Sequence, residues 1–421
     1  MADVMRPRTF ASTRRYLTST IYRLPSAFCR LSNPLSLFPI ALAAGGGAVD
    51  GVAATQWVAA GFTLLQRSAP LVRALAGRRS AIVLPPSGAV LTALAASDGR
   101  GALFLPVDAS DADIVRWAVF ADVGAVFTSS ALSTRLPASE FAVVSLDEAP
   151  RTAKVRHRRI EATVDLGSHF ALDLEGEDDA GRDEECVIAL ADRGAHPRGA
   201  VFTHRNLLAL ARGAVDAVSL IKGDHVLAVA SFDRLAPLAL TFAAPLLAGA
   251  RITSRPAFRA PDAVQLVERD DVTLLVGAPD MFAAMADVVA ARGTKLTAPA
   301  LRVCACVGGI ADSALQERWH VWTGHELRQA VGAGDAPLCL FNAPHFPNRR
   351  GTYGIPFPGM HAAVRDTNTG APATTGELWV RGDQVSVASL PPTGAKPATD
   401  DGWLKTPLRV CARADGAFEP A

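Results

Sequence analysis

Lysine is nearly missing from this chain. Only five of its 421 residues are lysine (Lys154, Lys222, Lys295, Lys396 and Lys405), and arginine supplies the rest of 42 basic groups. Acidic groups number 41, so the formal net charge is +1. That balance offers none of the clustered positive surface that nucleic acid requires. Aromatic residues make up only 6% of a chain that is 49% hydrophobic, so the core must be built from small aliphatic side chains. A long apolar run is also lacking. Leu35–Val49 is broken by Pro39 and by Gly45 to Gly47, and it falls short of the roughly 20 residues of a spanning helix. The six cysteines (Cys29, Cys186, Cys304, Cys306, Cys339, Cys411) show no paired metal-ligand spacing. Cys304 and Cys306 read as two small core residues on one strand face. A reducing, cytoplasmic setting fits.

The length suggests two or three domains. The first thirty residues carry Arg6, Arg8, Arg14, Arg15, Arg23 and Arg30 against a single acid, Asp3. With frequent Ser and Thr, this is a transit-like or membrane-surface pattern. Residues 1–58 are read as a basic, flexible or surface-lying extension and entry segment.

From Ser80 onward, short apolar runs alternate with helical ones. Ser80–Leu84, Ala102–Pro106, Gly124–Thr128 and Val143–Leu146 read as strands, and Val90–Ala96 and Asp111–Phe120 as helices. This alternation predicts a parallel sheet covered on both faces. Arg151–Asp183 is charged and reads as an irregular connection. The pattern then resumes. Strands are expected at Cys186–Leu190, Val226–Ala230, Arg251–Thr253, Thr273–Val276 and Leu301–Val307. Helices are expected at Leu207–Val218, Leu238–Leu247, Pro261–Arg269 and Asp280–Ala291, with Asp280 as a cap. Beyond Asn348, glycine and proline become dense and short alternating runs such as Glu377–Arg381 appear. The prediction is an α/β fold of two αβ-layered lobes with mostly parallel sheets (59–350), plus a small C-terminal barrel-like β unit (351–421).

One stretch carries a chemical signal. Ala191–Leu207 (ADRGAHPRGAVFTHRNL) reads as a glycine-containing loop between a strand and a helix, the usual setting of a phosphate site. It is not a Walker loop, because no G-K-[ST] closes it. Gly194 and Gly199 allow close backbone approach, and Arg198, Thr203, His204 and Arg205 offer donors.

Further motifs follow along the chain. Pro197-Arg198-Gly199-Ala200-Val201 and Thr203-His204-Arg205-Asn206 resemble P-K-G-x-V and T-H-x-N. Gly223–Leu227, Val272–Pro279, Leu301-Arg302 with Gly308-Gly309, Tyr353–Gly359, Gly376–Gly382 and Asp401–Thr406 resemble further motifs, in the same order, of the adenylate-forming superfamily. That group includes acyl-CoA synthetases, luciferases and peptide-synthetase adenylation domains. The resemblance implies a nucleotide site made of Gly194, Arg198, Gly199, Thr203, His204, Gly308, Gly309, Gly332, Gly334 and Asp335. It implies a substrate pocket at Phe232, Asp233 and Gly277, and a metal position at Asp335. ATP or AMP and Mg²⁺ would be its ligands. Its partners would be a small carboxylic acid or its adenylate, and CoA or a carrier protein if the chain is active.

The motifs depart from the family where the chemistry happens. Asp192-Arg193-Gly194-Ala195-His196 replaces a hydroxyl- and glycine-rich segment. Arg198 stands for Lys, and Val331 and Gly334 for the Tyr and Thr of Y-G-x-T-E. Asp233 takes an aromatic or histidine position, where a carboxylate would repel a carboxylate substrate unless protonated. Thr406 is followed by Pro407-Leu408 instead of the ribose-binding Gly-Asp. The resemblance further implies that the small C-terminal lid and its catalytic lysine are not part of this chain. No residue is assigned a catalytic role. The expectation is a pseudoenzyme with weak or no carboxylate-adenylating activity, kept for ligand binding or protein interaction. The alternative is an active ATP-dependent carboxylate ligase core, completed by a separate lid.

Overall fold

The computed structural model describes residues 37–97, 101–146, 149–167, 182–194, 196–391 and 401–421. Most of the basic N-terminal segment, with Cys29, lies outside them. Two nine-stranded sheets and one four-stranded sheet organise the chain.

The first sheet has a parallel centre. Glu185–Asp192, Ala102–Phe104, Arg79–Val83, Val123–Thr128 and Ala142–Leu146 run side by side in one direction. These strands are almost wholly buried, which is why they read in sequence as continuous apolar runs. Antiparallel strands close both flanks. One flank corrects the sequence reading. Thr152–His157 and Ile160–Asp165 form a hairpin within the stretch expected to be irregular. Their alternation was masked because the solvent-facing residues are charged.

The second sheet sets Leu327–Ala333, Val303–Cys306, Leu274–Gly277, His225–Ala228, Arg251–Ser254 and Ala48–Val49 in parallel. Ala336–Phe341 pairs antiparallel beyond Leu327–Ala333. The third sheet is a four-stranded antiparallel ribbon of His361–Arg365, Thr375–Arg381, Leu404–Ala412 and Phe418–Pro420. It is an open half-barrel and does not close.

A single buried cluster joins the two large sheets through the helices between them, among them Ala54–Arg67, Ala89–Ala96 and His204–Val218. Small residues make this layer thin. A Cβ on Gly61 would lie 2.5 Å from the Thr92 carbonyl oxygen. Separate clusters cover the outer face of each sheet. The lobes therefore share one core in a layered α/β stack. Cys304 and Cys306 lie in one outer cluster, where burial pushes both thiols up to about 12.

Residues near the N-terminus also belong to this core. Phe38–Ala44 forms a helix with Phe38, Ile40 and Leu42 fully buried, contrary to a surface-lying extension. The Phe38 N–H donates to His204 Nδ1 at 2.9 Å. Asp111–Phe120 has the expected bounds, capped by Ser110. Asp280 is not a cap, because Pro279–Arg292 starts one residue earlier with Ala278 at the cap position. The expected helix Leu238–Leu247 is two short helices around a π turn, Ala239–Ala243. Pro245 has no N–H to continue the α ladder there. No helix among the described residues is long and apolar enough to cross a membrane.

Candidate functional site

The parallel strands of the second sheet finish at one edge. His225–Ala228 leads to Phe232 and Asp233, Leu274–Gly277 ends on Gly277, Val303–Cys306 leads to Gly308-Gly309, and Leu327–Ala333 leads to Gly334-Asp335. Ligands of open parallel sheets bind at this edge. The turn at 193–197 of the first sheet comes to the same place.

That turn is not a strand–loop–helix junction. Glu185–Asp192 and Arg198–Thr203 are an antiparallel hairpin. The helix His204–Val218 begins only after the second strand. Six residues at about 3.3 Å each put the helix N-terminus roughly 20 Å from the turn, so its dipole does not serve the turn. Thr203 instead caps the helix. Its hydroxyl accepts the Asn206 N–H at 3.2 Å, and its own N–H donates to Asn206 Oδ1 at 2.8 Å. Thr203 and His204 are buried and do not reach the turn. Gly199 is a packing glycine, because a Cβ there would lie 2.6 Å from Ile188 Cγ2. Gly332 has the same kind of role, since a Cβ would lie 2.0 Å from the Pro337 carbonyl oxygen. Phe232 is a core residue, with its ring 4.9 Å from that of Phe242.

The remaining expected residues do come together. Arg198 Nη2 donates to Asp335 Oδ2 at 2.9 Å. The other carboxylate oxygen of Asp335 accepts the Ser386 hydroxyl at 2.8 Å. Arg193 forms an ion pair with Asp233, which is only 5% exposed. Asp233 is thus paired with arginine, which offsets the repulsion of a carboxylate expected there. Asp192 Oδ1 accepts the Gly194 N–H at 2.8 Å. A Cβ on Gly334 would lie 2.9 Å from that of Ala191, so turn and strand end are in contact. Arg116 Nη2 holds the Arg193 carbonyl from the Asp111–Phe120 helix at 3.3 Å.

Sequence reasoning did not place Arg193 or Ser386 in the site, and it did not find the bond from the Gly194 N–H to Asp192. Arg193 lies 40 residues from Asp233, and Ser386 lies 51 from Asp335, so no local pattern links them. Gly308 and Gly309 are exposed at the edge, and the Gly309 carbonyl is held by Gln329 Nε2 at 2.9 Å. They remain available as a backbone strip for a flat ring.

Two arginines here face three aspartates. The Gly194 N–H and both guanidinium groups are engaged by carboxylates. Both oxygens of Asp335, the expected metal position, accept hydrogen bonds, from Arg198 and Ser386. No group of three or more His, Cys, Asp or Glu among the described residues could hold a metal. The expected ribose position is filled by a bulge. Thr406 Oγ1 donates to the Leu378 carbonyl at 2.8 Å, and the Leu408 N–H donates to Thr406 Oγ1 at 3.2 Å. Nearby, Arg365 lies 4.5 Å from the Trp379 ring centroid and Arg381 lies 5.1 Å from that of Trp403. These tryptophans are partly exposed and stacked with arginine, and neither lies in a core cluster.

Comparison with known proteins agrees with the fold. Residues 195–388 match the AMP-binding enzyme family. The chain is 26% identical over 262 residues to a feruloyl-CoA synthase of an Amycolatopsis species, covering 61% of this chain and 53% of that one. It spans about half the length of the curated relatives it matches. The N-terminal domain of FACL13 from Mycobacterium tuberculosis superposes with a TM-score of 0.74 at 17% identity, over 91% of this chain and 99% of that one. The ATP-bound MatB of Rhodopseudomonas palustris superposes with a TM-score of 0.71 at 18% identity, over 91% of this chain and 78% of that one. Shared fold, motif order and the family match over residues 195–388 converge in support of the adenylate-forming superfamily.

Proposed function

We propose that this chain is a pseudoenzyme of the superfamily. In this reading the crevice has weak or no carboxylate-adenylating activity and is kept for ligand binding or protein interaction. One observation supports this above others: the Gly194 N–H, Arg193 and Arg198, three donors at the turn that could meet a polyphosphate, are each bonded to an aspartate. Adenylation places a carboxylate in line with the α-phosphate, and preorganised donors stabilise the charge that spreads over the phosphoryl oxygens. Losing one such donor commonly costs about 10²–10³ in rate. Donors that act as a unit do not combine by simple multiplication. The open Gly308-Gly309 strip supports retention of a flat-ring ligand such as AMP.

The second reading is an active ATP-dependent carboxylate ligase core acting on a small, fatty or aromatic acid, with CoA or a carrier as acceptor. It draws on the ligase names of the relatives and on that same strip. ATP–pyrophosphate exchange with a panel of short, long and aromatic acids, followed by thioester detection, separates the two. The expected result is exchange at background level. Robust exchange with any one acid would establish the second reading.

A further inference from the structure

The engaged donors of the turn have a common feature. Each is held by a carboxylate from a different part of the chain: the Gly194 N–H by Asp192, Arg193 by Asp233, and Arg198 by Asp335. A phosphate group presents the same chemistry as these three carboxylates, namely anionic oxygens aimed at N–H donors. We propose that Asp192, Asp233 and Asp335 act together as a built-in counter-anion that excludes polyphosphate from the turn, with Asp192 the specificity-determining residue.

Asp192 has that rank for two reasons. It is exposed and lies on the hairpin itself, so its loss removes no buried contact. Its carboxylate takes a backbone donor, the Gly194 N–H. Asp233 and Asp335 instead come from the second sheet and bridge to the hairpin, so they fix how the turn sits against the strand ends. Neutralising Asp192 leaves two arginines facing two aspartates, and neutralising Asp335 as well leaves a net positive turn. The Arg198 guanidinium is then free to close on phosphate oxygens beside the Gly194 N–H.

This inference rests on the reading that the crevice does not take a triphosphate as it stands. Its test needs no turnover. Inorganic pyrophosphate is titrated by calorimetry into the full chain and into Asp192→Ala, Asp192→Ala/Asp335→Asn and Asp287→Ala. The last variant loses an exposed acid on a distant helix. Asp192→Ala should bind roughly tenfold more tightly than the parent, from one freed backbone amide, and the double variant about a hundredfold, from that amide and a freed guanidinium. The Asp287→Ala chain should bind as the parent does. A double variant that unfolds cooperatively yet gains no affinity would overturn the proposal. So would a parent that already binds pyrophosphate as tightly as the variants, or a gain in Asp287→Ala equal to that in Asp192→Ala. Each of these outcomes is independent of the exchange assay. Robust exchange by the parent would refute the pseudoenzyme reading alone, and unchanged variant affinity would refute the counter-anion alone.

Discussion

Where the parallel strands of the second sheet begin, Asp224 is enclosed by donors. Arg302 Nε reaches it at 2.9 Å, Thr273 Oγ1 at 2.7 Å and the Ile221 N–H at 2.8 Å. All three come from the same sheet and its entry loops. Where those strands end, Asp233 and Asp335 also meet arginine, but their partners come from the hairpin of the other sheet. At the first edge an aspartate–arginine pair ties neighbouring strands into one body. At the second the same chemistry bridges the two large sheets. Ion pairing at the strand starts should therefore act on stability, and ion pairing at the strand ends on what the crevice admits.

The strongest way to break this comparison is Asp224→Asn. It leaves Arg302 without its buried partner, and unfolding free energy in urea should fall by about 3–5 kcal/mol. A midpoint unchanged from the parent would mean that the two edges do not differ. Acid gives a smaller effect. Burial raises the Asp224 carboxyl, but the bonds from Arg302, the Ile221 N–H and Thr273 outweigh it, so its pKa lies below the ordinary value. A depressed folded-state pKa contributes stability that is full above the unfolded value of about 3.9 and is lost as pH falls through the folded one. The parent should therefore lose stability below about pH 4, and Asp224→Asn should show a flatter profile there. A parallel slope in the two proteins would assign acid sensitivity to another carboxylate. The smallest effect belongs to the strand-end edge. Asp335→Asn breaks a pair whose arginine side chain is 40% exposed, so the stability change should stay within about 1 kcal/mol. A loss near that of Asp224→Asn would make the crevice pairs structural and remove the contrast.

These contrasts also explain what could be read from the sequence. Strands such as Val123–Thr128 are buried throughout and appear as unbroken apolar runs. The helix Asp111–Phe120 was bounded correctly because Ser110 caps it locally. The hairpin carrying the turn was misread, because Gly199 to Phe202 is too short an apolar run to separate from the helix that follows. The hairpin of Thr152–His157 with Ile160–Asp165 was hidden by its charged outer face. At the crevice, residue types were legible and partnerships were not. Arg198 and Asp335 were both singled out, yet they lie 137 residues apart, and no local period reports that they touch. The substitution of Asp192 for a hydroxyl was visible, but its turn inward onto the Gly194 amide was not.

The hairpin's outer edge has a consequence for the order in which the chain is made. Arg198–Thr203 pairs on one side with Glu185–Asp192 and on the other with Ala388–Leu390. Ser389, in that last strand, follows Arg198 by 191 residues. At a ribosomal rate of 5–20 residues per second, the outer edge of the hairpin waits roughly 10–40 s for its partner. During that interval the strand edge is open to pairing with another chain. The first sheet is therefore begun early and completed only after every strand of the second sheet has been synthesised.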